Sequence, residues 1–195
     1  MSDDKAEFDP EEHPLPMSGD LPVKEPGFCL YASTDWNARA CGFKRAADIL
    51  ASHVLATYTA GDLLIYPIVF LYRHQLELSL KEIILRANQL LDEPVRFRAV
   101  HSLRELWEDC RTALESAGFP VNIAETEHFE ACIEQLDRLD PHSMSFRYPV
   151  TKTGAPTLPP SLQSIDLQNL QTVMDRMCFF LDITREELVQ RTDGA

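Results

Sequence analysis

The sequence predicts an all-α fold: an up-and-down bundle of four to five helices, with an acidic tail before it and a long Pro-rich loop before the last helix. Three observations predict it. Apolar residues recur three or four apart over long stretches, the spacing of a helix buried along one face. No stretch alternates apolar and polar residues between hairpin turns, as a half-buried strand would. The best strand candidate, "FRYPVT", is too short and too close to proline to found a sheet.

Residues 1–27 are rich in acid and proline and poor in apolar spacing, so they read as a disordered tail, with 28–195 as a single helical domain. The first helix begins at Trp36. Trp36, Ala40, Phe43, Ala47, Leu50 and Val54 share one face, and Thr34 or Asp35 can cap the start. Gly61-Asp62 separates it from a second helix over roughly 62–91. Pro67 lies inside that segment, so it must fall near the first turn or kink the helix. In "HSLRELWEDCRTALESAGFP", Ser102 and Glu105 form the S-x-x-E capping box and Leu103, Leu106, Cys110 and Leu114 repeat helically. Gly118 and Pro120 supply the stop. A fourth helix spans about 123–139 through Ile123, Phe129, Ile133 and Leu136, and Asp140-Pro141 ends it. The last helix covers about 165–189, with Leu170, Val173, Met177, Phe180 and Leu181 as its stripe.

A chain of 195 residues suits one domain and buries a core without staples. Its formal net charge of −13 argues against non-specific coating of DNA or RNA, which relies on basic surface. The acid is uneven: the first 25 residues hold eight Asp and Glu, whereas Arg73 to Arg111 carries seven Lys and Arg against seven acids. A local anion site there is compatible with the charge. The five scattered cysteines include no CxxC pair and read as reduced thiols. The acidic start resembles neither a signal nor a transit peptide, and no apolar run reaches membrane-spanning length. A cytoplasmic protein with no membrane partner is the expectation.

"YPIVFLYRHQLELSLKEIILRA", from Tyr66 to Ala87, raises the functional question. Most of it suits a buried helix, yet Arg73, His74, Glu77 and Lys81 stand inside it, and charge there is costly unless paired or used. At about 100° per residue, with Arg73 at zero, Glu77 falls near 40°, Lys81 near 80° and His74 near 100°. Tyr66 and Phe70 share that sector. Val69, Tyr72, Leu76, Leu80, Ile83 and Ile84 take the neighbouring one and face the core. Glu77 is the hub, four residues from Arg73 and from Lys81. Such a stripe is an exposed face of weak ion pairs, a polar seam that grips an anion or an RNA phosphate, or, as the remaining alternative, a metal site. No metal and no cofactor is expected. Glu125-x-x-His128 has di-iron spacing, but such sites need a second pair and two more carboxylates. No P-loop or dinucleotide glycine pattern is present.

"FLYRHQLELSLKEIIL", "HSLRELW" and "FRYPVTKTG" on an all-α chain resemble the HEPN superfamily, over roughly residues 36–190. The resemblance implies a helical bundle. It also implies RNA- or nucleotide-directed function, as in the metal-independent ribonucleases of toxin–antitoxin and phage-defence systems that dimerise to join two R-x4-6-H motifs. Other members have lost catalysis and bind nucleotides, RNA or proteins. Arg96 to His101 has the R-x4-H spacing but precedes the third helix, whereas the family motif opens the last core helix; Arg138 to His142 is one residue short. On this reading Arg73, His74 and His101 are the candidate catalytic residues, holding phosphate and moving protons. Glu77, Lys81, Arg147 and Tyr148 are the candidate substrate-binding residues. RNA or a nucleotide, a second copy of the chain, or a protein encoded nearby are the candidate partners. The alternative is a non-catalytic helical module that binds a partner protein, with the stripe as structural ion pairing. Two outcomes separate them: convergence of Arg73, His74, His101 and Arg147 on one open cleft, or a Glu77 closed off by Arg73 and Arg147. On the catalytic reading, Arg73→Ala spares the fold.

Overall fold

The computed structural model describes residues 34–119 and 123–193; the tail at 1–27, the domain start at 28 and Pro120 lie outside them, as do the side chains of Ile123 and Glu125. Five helices follow in order: α1 (Trp36–Thr57), α2 (Gly61–Leu90), α3 (Leu103–Ser116), α4 (Ile123–Leu139) and α5 (Leu167–Asp193). Among the described residues there is no strand, and a single isolated bridge joins Val150 to Pro156 inside the Pro-rich loop.

The ends of the helices follow local chemistry. Asp35 caps α1, its carboxylate accepting from the Ala38 N–H at 3.0 Å. Ser102 caps α3 by accepting from the Glu105 N–H at 3.2 Å. The reciprocal half of the expected capping box is replaced: the Glu105 carboxylate takes Arg98 at 3.0 Å. Gly118, at φ +71°, turns the chain out of α3, and the Phe119 N–H returns to the Leu114 carbonyl at 3.0 Å. Pro67 lies one turn deeper than the first turn of α2. Its ring nitrogen offers nothing to the carbonyl of Leu63, which belongs to an exposed residue where water can serve.

α2 is the axle. α1, α3 and α5 pack on it, α4 packs on α3, and α5 also lies along α1. Val69, Tyr72, Leu76, Leu80, Ile83 and Ile84 are all buried, as their sector requires. Trp107 of α3 is buried against Phe129 of α4, ring centroids 4.7 Å apart, and Phe180 of α5 closes the triangle at 5.0 Å from Phe129. Between α1 and α5, Lys44 bridges Asp48 and Asp175 at 2.8 and 2.7 Å, and Asp48 also accepts from the Tyr72 hydroxyl. None of the helices in the described residues is long and apolar enough to cross a membrane.

Candidate functional site

The polar stripe of α2 divides into two groups by partner: Arg73, Glu77 and Lys81 join His101 and Asp140, whereas His74 turns to Phe43 and Phe70.

The first group is buried. The Arg73 side chain is 1% exposed and Glu77 3%. Glu77 accepts from Arg73 Nη1 at 3.3 Å, from Lys81 Nζ at 2.8 Å, and pairs with His101 Nδ1 at 2.9 Å. Arg73 spends its remaining reach on backbone: Nε donates to the Asp140 carbonyl at 3.0 Å and Nη2 to the His101 carbonyl at 2.6 Å. Asp140 Oδ2 stands 3.5 Å from Arg73 Nε, near enough for charge attraction without a hydrogen bond, since Nε is already committed. Its Oδ1 accepts from the N–H groups of Met144 and Ser145 at 2.6 and 2.9 Å. Asp137 accepts from the Leu103 N–H at 2.7 Å. One arginine therefore ties the middle of α2 to the residue before the α3 cap and to the residue after α4. Charges this buried are tolerated because each meets an opposite charge and hydrogen bonds. Burial alone would raise the Glu77 carboxyl, but the Lys81 hydrogen bond and charge, joined by His101, hold it below the ordinary carboxylate value. Burial lowers Arg73 in spite of Asp140 and Glu77.

His101 differs from its neighbours in this network. Its side chain is 60% exposed while Nδ1 faces the buried carboxylate. The contact with Glu77 fixes one edge of the ring, and much of the remainder is open to solvent.

The second group is aromatic and cationic. The His74 ring stacks on Phe70, 5.7 Å between centroids and 11° between planes, and meets the edge of Phe43 at 4.5 Å. Burial lowers the His74 pKa; Glu77 opposes this, and Lys81, Arg147 and Arg73 reinforce it. The Arg147 guanidinium lies 5.4 Å from the Phe70 centroid and 5.6 Å from Tyr148, within cation–π range. Arg147 Nε donates to the Ser143 carbonyl at 2.6 Å. Arg147 and Tyr148 are both exposed.

Sequence spacing made Arg73, Glu77 and Lys81 neighbours, and only the fold adds His101 to them at Glu77. The structure does not gather Arg73, His74, His101 and Arg147 in one open cleft. Arg73 has no face left for a phosphate, and His74 belongs with Phe43 and Phe70 rather than with His101. Glu77 is closed off by Arg73, Lys81 and His101, not by Arg147. Three contributors escaped sequence reasoning: Asp137, Asp140 and Phe43. Asp140 carried a signal, since it precedes the proline that ends α4; Phe43 was visible only as a core residue of α1. Among the described residues, no three of His, Cys, Asp and Glu cluster as a metal site. No protein-family model, curated protein or solved structure matches the chain.

Proposed function

We propose that the chain is a HEPN-like helical domain that binds RNA or a nucleotide through the face made by Phe70, His74, Arg147 and Tyr148. One observation carries this reading: an exposed arginine lies over two aromatic rings, 5.4 and 5.6 Å from their centroids. Unstacked bases settle on ring and guanidinium planes, and the same guanidinium forks onto phosphate. Any cleavage on this domain falls to His101, whose Nδ1 is held by Glu77 and whose side chain is largely exposed. A role in a toxin–antitoxin or phage-defence system follows from such an activity.

A second reading has its own support. The burial of Arg73 and Glu77 suits a non-catalytic protein-interaction module whose ion pairs are structural. A single assay separates the readings. Purified protein is incubated with labelled single-stranded RNA in excess chelator, and both binding and cleavage are read. Binding that Arg147→Ala weakens about tenfold supports the first reading. Cleavage abolished by His101→Ala adds the catalytic role. RNA neither bound nor cut leaves the interaction module.

A further inference from the structure

A cavity of about 520 Å³ opens between the end of α1, the first turns of α2 and the Pro-rich loop. We propose that it receives the guanine base of a nucleotide whose phosphate is taken by Arg147. The inference rests on the nucleotide-binding reading of the Phe70–Arg147–Tyr148 face and extends that face into the cavity.

The volume falls in the ~300–1,000 Å³ range of small-molecule sites. Most of the wall is apolar, with Ile65, Phe146 and Leu162 among the lining residues and Tyr66 adding a ring that is also 46% exposed. Asp62 is the one charged residue in the lining, beside the polar Gln163 and Ser164. It sits in the first turn of α2. A carboxylate without a cation beside it repels phosphate, so a nucleotide must enter base first. Two carboxylate oxygens side by side match two adjacent N–H donors. Guanine offers these at N1 and N2; adenine offers one donor next to an acceptor on the same edge, and uracil one donor between two carbonyls. The cavity therefore selects guanine.

The phosphate end follows from continuity. Phe146 lines the cavity, and the next residue is Arg147. On α2, Phe70 lies one turn beyond Tyr66 on the same face, about 6 Å away. Arg147 stands over that Phe70. The cation is thus within a nucleotide's length of the base site. The net charge of −13 acts in the same direction: it repels a long polyanion far more than one phosphate, which favours a mononucleotide or a short guanine-bearing end.

The full chain is titrated calorimetrically with guanosine 5′-monophosphate, adenosine 5′-monophosphate, guanosine and inorganic phosphate, and separately with labelled oligouridine. The guanine nucleotide is expected to bind about tenfold or more tighter than the adenine one. Asp62→Asn should erase that preference, and Arg147→Ala should weaken the nucleotide but not the nucleoside. Leu162→Trp, which fills the cavity, should remove guanine binding and leave oligouridine binding in place. Melting curves confirm that each variant is folded. Oligouridine binding with no preference between the two nucleotides, or an Asp62→Asn variant that keeps the preference, overturns the guanine site alone. Absence of binding to every nucleotide and to oligouridine overturns the reading of the aromatic face with it.

Discussion

His74 shows how a single position decides a role. Its neighbour Arg73 is buried in ion pairs, while the imidazole lies stacked on Phe70 and edge-on to Phe43, where burial disfavours its charged form. The unfolded chain therefore binds a proton more readily than the folded one. That stability is complete above the ordinary value of 6.5 and is lost as pH falls through the lowered folded value. Melting temperature should drop as pH is taken from 7 towards 5 in the wild type. His74→Phe, which keeps a ring in the stack and removes the titration, should flatten that part of the curve. Parallel curves for the two proteins would show that His74 does not titrate with folding.

At the scale of elements, the weak points are the helix ends, and here they borrow from distant partners. α3 is capped locally by Ser102, but its Leu103 N–H is satisfied by Asp137 of α4. Removing that carboxylate leaves a buried donor unmade, a loss of about 1–3 kcal/mol. Asp137→Ala should lower the urea midpoint accordingly. Glu108→Ala, which deletes an exposed ion pair with Arg104, should cost no more than about 0.5 kcal/mol. Equal effects from the two would mean that the α3–α4 contact is not held by Asp137. The loop after α4 is ordered in the same manner, by the Asp140 carboxylate on the Met144 and Ser145 N–H groups and by Arg147 against Phe70.

For the molecule as a whole, the Arg73–Glu77 pair is the joint at which α2, the start of α3 and the end of α4 meet. Deleting one partner of a buried pair strands the others, at about 3–5 kcal/mol. Glu77→Ala, which abandons Arg73, Lys81 and His101 together, should cost the fold about that much and lower the melting midpoint. Arg73→Ala should do likewise, against the expectation from sequence that it spares the fold. Circular dichroism melts check both, and an unchanged midpoint for either would mean the network contributes nothing to the bundle. Because the folded Glu77 carboxyl lies below its ordinary 4.5, its contribution is present above that pH and disappears as acid protonates it.

Periodicity and end signals determined the five helices, because a helix's buried face and its caps are written within a few residues of one another. Trp36, Asp35, Ser102, Gly118 and the Asp140-Pro141 pair mark ends that the chain adopts almost where they fall. The i,i+4 ladder of Arg73, Glu77 and Lys81 was legible for the same reason. Only the tertiary structure decided whether that ladder faced water, a ligand or other helices. The deciding partners, Asp140 and the His101 carbonyl, are 67 and 28 residues away from Arg73, and no local rule reaches across such loops. The aromatic face and the cavity have the same origin: Phe43, Phe70 and Arg147 come from three separate segments that become neighbours once the core has closed around α2.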